Sequence, residues 1–307
     1  MSGAALPDAG ARSGTRSFRC GRIAVVGRPN VGKSTLVNAL TGARISITSA
    51  RPQTTRHRVL GILTTSDAQF VFVDTPGFQT EHRSPLTDRM NRSVRQSLAE
   101  VDVAVAVLEA GRIGDADREV LALLPAGLPA IAAVNKVDRV VRKRELLPYL
   151  AELSALREFA AIVPISAEKG WQLDELVHEI GQRLPAGDPL YPADEMTDRD
   201  ERFLAGEYVR EKIFRMVGAE VPYAAAVTVD AFEHKGPLRR IHATVYVDKP
   251  GHRAILLGRG GERMKRIAAA ARRDMERLFG GTVFLEIWVK VESGWSRDER
   301  MLTRLGY

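Results

Sequence analysis

The chain has 307 residues, 45% of them hydrophobic and 27% charged, which is enough to bury a sizeable core and long enough to favour two domains over one. No apolar run approaches the roughly 20 residues that a membrane-spanning helix needs, the N-terminus lacks the apolar centre of a secretory signal, and a single cysteine, Cys20, excludes an internal disulfide and fits a reducing cytoplasm. The formal charge of +7 is unevenly placed: residues 199–307 hold 21 Lys+Arg against 15 Asp+Glu, and everything before holds 24 against 23, so the C-terminal part suits a polyanionic partner.

Residues 1–19, MSGAALPDAGARSGTRSFR, are small and polar and read as a disordered tail. From residue 21 short apolar runs alternate with helical patterns: RIAVVG, HRVLGIL, QFVFVD, VDVAVAVLEA, PAIAAVNK and AIVPISA. Runs this apolar predict strands covered on both faces, hence a doubly wound α/β domain with a mostly parallel sheet over residues 20–184. The proline-rich stretch 185–199 reads as a linker. Residues 200–307 then predict helix, strand, strand, an undecided RAILL, a long helix and a strand.

The first chemical motif is GRPNVGKST, with Gly27, Arg28, Pro29, Asn30, Val31, Gly32, Lys33, Ser34 and Thr35 in the phosphate-loop pattern between a predicted strand and a predicted helix. Its glycines let backbone N–H groups wrap phosphate oxygens, Lys33 reaches the terminal phosphates, and Ser34 can coordinate Mg²⁺. NKVD (Asn135, Lys136, Val137, Asp138) selects guanine over adenine, because the Asp138 carboxylate can accept from N1–H and the exocyclic amine of guanine. Ser166 and Ala167 of SAE resemble the GTPase loop whose backbone meets the guanine oxygen.

DTPG (Asp74, Thr75, Pro76, Gly77) supplies a carboxylate for the Mg²⁺ shell and an N–H for the γ-phosphate, so loss of that phosphate releases the segment beyond it. A second switch is expected in 49–57, where Thr54 or Thr55 meets Mg²⁺; Thr55 is favoured. Phe78 stands where Ras-like proteins place a water-orienting glutamine, so intrinsic hydrolysis should be slow. Asn30 suggests activation by K⁺, held by Asn30 and carbonyls of 49–57; the alternative is that Asn30 only stabilises its turn.

A second glycine loop, GRGG, comprises Gly258, Arg259, Gly260 and Gly261. About two GxxG matches are expected by chance in this composition, and GRIG at 111–114 is the other one. Only GRGG opens a basic helix, with Arg263, Lys265, Arg266 and Arg272 off its apolar stripe, a setting that suits a nucleic-acid backbone. This resembles the K-homology domain, whose GxxG loop clamps about four nucleotides; with RAILL helical, the element order is that of its type II form. His57 and His82 read as loop residues, Trp288 as packing and SRDE (296–299) as a capping box.

GRPNVGKST, QTTRHR, DTPG, NKVD and PISAE, followed by TDRDERFLAGEYVREKIF, GRGGERMKRI and LEIWVKVESGW, resemble the Era family of bacterial GTPases from about residue 20 to the end. The resemblance implies an α/β P-loop GTPase domain followed by an α+β type II K-homology domain. It also implies GTP hydrolysis with Mg²⁺, binding near the 3′ end of 16S ribosomal RNA, and a role in maturation of the small ribosomal subunit. A cytoplasmic monomer, partly associated with the inner membrane surface, is expected. Two rival readings stand: an RNA-binding assembly factor whose nucleotide is structural, and a P-loop small-molecule kinase, which NKVD disfavours.

Overall fold

The computed structural model describes residues 17–80, 84–218 and 220–307; most of the N-terminal tail and His82 lie outside them. The first unit runs β1 (Arg19–Val26), α1 (Lys33–Thr41), β2 (Val59–Thr64), β3 (Ala68–Asp74), α2 (Pro85–Ala99), β4 (Val103–Glu109), α3 (Asp115–Ala122), β5 (Ala130–Asn135), α4 (Leu146–Leu156), β6 (Ala161–Pro164) and α5 (Leu173–Gly181). The strands form a six-stranded sheet in the order β2-β3-β1-β4-β5-β6. All pairs are parallel except β2 with β3. Every residue of β3 and β5 is buried, as strands sandwiched between helix layers must be. Strand order reverses beside β1, which opens a crevice at the carboxyl ends of the strands where the loop of residues 27–32 sits.

The 185–199 segment is fastened to this sheet. Gln69 donates to Tyr191 O (2.8 Å) and accepts from Leu190 N (2.7 Å), Ile62 N donates to Met196 O (2.9 Å), and the Asp198 carboxylate accepts from Leu60 N (3.2 Å). The segment thereby covers the free edge of β2.

The second unit runs α6 (Glu201–Met216), β7 (Ala225–Lys235), β8 (Leu238–Val247), α7 (Pro250–Leu257), α8 (Glu262–Phe279), β9 (Thr282–Val291) and α9 (Glu299–Arg304). RAILL falls inside α7. β7 pairs with β8 antiparallel and β8 with β9 parallel. Met264, Ile267, Ala271 and Met275 of α8 pack with Leu204, Val209 and Ile213 of α6 onto the inner face of this sheet. The Asp298 side chain caps α9 by accepting from Arg300 N and Met301 N, so the helix begins later than an SRDE box at 296–299 requires.

Residues 204–214 of α6 are buried without a break, Glu207, Arg210, Glu211 and Lys212 included. Its apolar face meets the second sheet and its charged face meets the first unit. A further cluster bridges the two, with Leu86 and Met90 of α2 against Ala226, Tyr246, Trp295, Leu302 and Leu305. Trp288 is not a packing residue: it is 59% exposed, on the outer face of β9.

Candidate functional site

The loop after β1 closes onto α1 through positions that only glycine fits. Gly32 has φ +104, and a Cβ there would lie 2.3 Å from Asn135 Nδ2. Lys33 is buried and donates to the carbonyls of Gly27 and Arg28, both at 3.0 Å. Burial pushes its ammonium down to about 8, against the pull of Asp74. Arg28 turns away from the loop centre to Glu109 and Asp117, at 3.0 Å each. Val31 and Thr75 serve the frame: Val31 O accepts from Asn135 Nδ2 (2.8 Å) and Thr75 Oγ1 donates to Val25 O (2.8 Å). Pro29 packs against Gly77, where a Cβ would approach the proline ring to 2.9 Å.

Ser34, Thr55 and Asp74 come together. Ser34 Oγ lies 2.7 Å from Thr55 Oγ1 and donates to Asp74 Oδ2 at 2.8 Å. Thr54 Oγ1 instead meets Ser49 Oγ (2.6 Å) and donates to Arg51 O (2.7 Å). Asp74 is fully buried, and its Oδ1 has no hydrogen-bond partner. Burial pushes its carboxyl up to about 6, opposed by the Ser34 hydrogen bond and the Lys33 charge. Three hard oxygen donors and an orphaned carboxylate oxygen fit Mg²⁺.

The base end of the cavity is built by Asn135, whose Oδ1 accepts from Lys136 N (2.8 Å) and Ala167 N (2.9 Å). It thereby ties the loops after β5 and β6 together. Lys136 sits at φ +66, and its ammonium reaches Asn30 O (2.7 Å) and Glu109 (3.1 Å). Val137 begins the turn that presents Asp138, and Ser166 Oγ accepts from Lys169 N (3.2 Å). Asn30, exposed at φ +65, and Thr35 line the same cavity of about 460 Å³. The Phe78 side chain points away, packed in the core with Arg95 over its ring.

Sequence reasoning missed the residues that join this cavity to the second unit. Arg215 of α6 lines it and donates to Thr48 O (2.9 Å) and Thr48 Oγ1 (2.8 Å). Arg210 donates to Thr54 O, next to Thr55. Glu211 accepts from Thr48 N (3.1 Å) and binds Arg44, which also pairs with Asp274 of α8 (2.7 Å). Arg56 is buried and donates to Pro222 O, Tyr223 O, Ala225 O and the Tyr307 hydroxyl, at 2.9–3.1 Å. His57 is not a free loop residue: it stacks on Tyr307 at 4.8 Å and meets Phe203 edge-on.

The second glycine loop lies between α7 and α8, with positive φ at Gly258, Gly260 and Gly261 and with Arg259 and Gly260 exposed. A Cβ on Gly258 would meet Arg263 Cβ at 2.9 Å, whereas one on Gly260 meets nothing within 4 Å. Lys265, Arg266 and Arg272 are exposed on α8; Lys265 lies 3.3 Å from Glu262 and Arg272 lies 4.0 Å from Glu276.

Fold and site define a P-loop GTPase with an appended K-homology RNA-binding domain. Two family models agree, one described as a 50S ribosome-binding GTPase over residues 22–136 and one as a KH domain over 220–296. The chain is 54% identical to GTPase Era of Chromobacterium violaceum over 289 residues, covering 94% of this chain and 98% of that one. It is 51% identical to GTPase Era of Bordetella avium over 293 residues, 95% and 99%. Two solved structures, Aquifex aeolicus Era bound to GDP·AlF4⁻ and Era with MgGDPNP and nucleotides 1506–1542 of 16S rRNA, each match at TM-score 0.90 and 38% identity over 94% of this chain and 99% of theirs. The chain belongs to the Era family of GTPases.

Proposed function

We propose that the chain binds GTP with Mg²⁺, hydrolyses it, and uses the change of state to control access of the 3′ region of 16S rRNA to its K-homology domain during small-subunit maturation. Era relatives solved with GDP·AlF4⁻ and with MgGDPNP plus a 16S rRNA fragment support this reading. Lys33 and the loop N–H groups hold the phosphates, Asp138 accepts from guanine, and the Ala167 N–H region meets the guanine oxygen. Ser34 and Thr55 ligate Mg²⁺, with Asp74 acting through water. Mg²⁺, when bound, neutralises charge developing on the phosphate oxygens. Gly77 N–H contacts the γ-phosphate. Asn30, with carbonyls of 49–57, is the K⁺ position in this proposal. The basic α8 surface and the loop Gly258–Gly261 clamp RNA backbone, with Arg259 and Gly260 facing phosphate.

The observation that carries the switch is the run of contacts from Thr48 through Glu211 and Arg44 to Asp274, with Thr54 O held to the same helix α6 by Arg210. Asp274 lies on the helix that the RNA loop opens. Letting go of Thr55 therefore shifts residues bolted to the RNA-binding helix. The test measures binding of an rRNA 3′-end fragment and a shuffled control, each with GTP analogue and with GDP. Tighter binding of the native fragment in one nucleotide state is expected; equal binding in both states refutes the switch.

The burial of Phe78 favours one other reading, a structural nucleotide that is hardly hydrolysed. Turnover measured in K⁺ and in Na⁺, with and without RNA, decides: K⁺-dependent turnover is expected, and none under any condition establishes the rival.

A further inference from the structure

A second cavity, of about 580 Å³, lies in the joint between the two units. Its walls come from the end of the 49–57 segment and the residue after it (Arg56, His57, Arg58), from α2, from the start of α6 and β7, and from residues 304–307. Six arginines line it, namely Arg56, Arg58, Arg89, Arg199, Arg202 and Arg304, with Asp200 and Glu207 as the lining side-chain carboxylates and Tyr307 O accepting from Arg89.

Those carboxylates are committed elsewhere. Asp200 caps α6 by accepting from Phe203 N (2.8 Å), and Glu207 is held by Arg210 (2.8 Å). Arg58 pairs with Glu100 (2.7 Å) and Arg89 with Glu299. The other four guanidiniums have no carboxylate within hydrogen-bond reach among the described residues. Arg56 donates from its two terminal nitrogens to three carbonyls and a phenol. Arg199 donates to Arg58 O, with Asp198 at 3.7 Å, and Arg202 donates to Val229 O and Asp230 O. Arg304 is exposed and makes no ion pair or side-chain hydrogen bond among the described residues. The Nε atoms of Arg56 and Arg199 are buried without a partner. Cations crowded into a cleft with low-dielectric walls concentrate anions, and guanidinium forks match phosphate oxygens in pairs.

We propose that this cavity is a second anion site, separate from the nucleotide cavity, for a ligand carrying a run of phosphate groups, either a free oligophosphate or a stretch of RNA backbone. Arg58 directly follows the 49–57 segment and Arg89 belongs to α2, whereas Arg202 and Arg304 belong to the second unit. An occupant therefore ties the two units together at the switch.

The experiment is calorimetric titration of inorganic tripolyphosphate into the full chain saturated with GDP, with Mg²⁺ in excess of both, so that the phosphate loop is already filled. One equivalent is expected to bind, more weakly at 200 mM than at 50 mM salt, as charge screening requires. Arg202→Glu/Arg304→Glu should lose at least about tenfold in affinity with GDP affinity and melting temperature unchanged. Arg202→Gln/Arg304→Gln should lose less. Adding the rRNA 3′-end fragment separates the sources: displacement of tripolyphosphate assigns the site to RNA backbone, and simultaneous binding assigns it to a free oligophosphate. Absence of binding to the GDP-saturated wild type, or equal binding by the charge-reversed variant, overturns the proposal.

Discussion

Thr54 and Thr55 are adjacent, yet one braces its own loop and the other faces Ser34 and Asp74. Thr55→Ala should lower Mg²⁺-dependent GTP hydrolysis by about ten- to a hundredfold, as loss of a metal-shell partner does. Thr54→Ala should cost about 1 kcal/mol of stability, the worth of an ordinary hydrogen bond, and leave turnover within a few-fold; steady-state rates and melting curves on both variants check the pair. The motif letters narrowed the choice to these two residues, but which of them faces the metal site depends on the path of the segment between α1 and β2. His57 gives a pH dependence. Burial pushes its imidazole from 6.5 down to about 4, so it is neutral in the folded joint. A separated or unfolded state takes up a proton below 6.5 that the joint resists. The stability of the joint is thus complete above about pH 6.5 and is lost as pH falls towards 4. Thermal melting between pH 7 and pH 4.5 should show this decline, and His57→Phe should flatten it.

The strands, α1 and α8 were legible because their apolar residues recur at periods that sterics and burial enforce. α6 was legible as a helix but not as one buried on both faces. Periodicity cannot reveal the second packing partner that buries Glu207, Arg210, Glu211 and Lys212. Their charges are tolerated inside because each is paired or hydrogen-bonded. Arg56 is the matching plug from the first unit. Arg56→Ala leaves three carbonyls without a donor, at about 1–3 kcal/mol for each one kept from water, and should lower the melting temperature sharply while GTP affinity, set by other elements, is retained. Arg56→Lys should not rescue, because an ammonium cannot span the fork of acceptors. At the second loop, Gly260→Asp should abolish RNA binding with GTP affinity unchanged; filter binding and nucleotide titration on the same preparation test both halves.

At the scale of the molecule, Arg44 links the segment before β2 to the long helix of the second unit, since it contacts Glu211, which accepts from Thr48 N, and Asp274 on α8, the helix that the Gly258–Gly261 loop opens. Arg44→Glu sets a third carboxylate against these two. The RNA affinity of this variant is expected to be the same with GTP analogue and with GDP, measured by fluorescence anisotropy; a wild-type difference between the two states would remove Arg44 from the coupling. The sequence by itself determined the fold class, the order of elements apart from RAILL, the phosphate-loop pattern and the basic second glycine loop. All of these follow from local spacing, from backbone freedom at glycine and from charge composition, which are written along the chain. Only the tertiary structure decided that Thr55 faces Ser34, that Trp288 lies outside the core, that α6 is clamped between two units, and that six arginines from four separate segments meet in one cavity. The reason is physical: those facts depend on which surfaces two folded units turn toward each other, and residues more than a hundred positions apart carry no shared periodicity that could announce it.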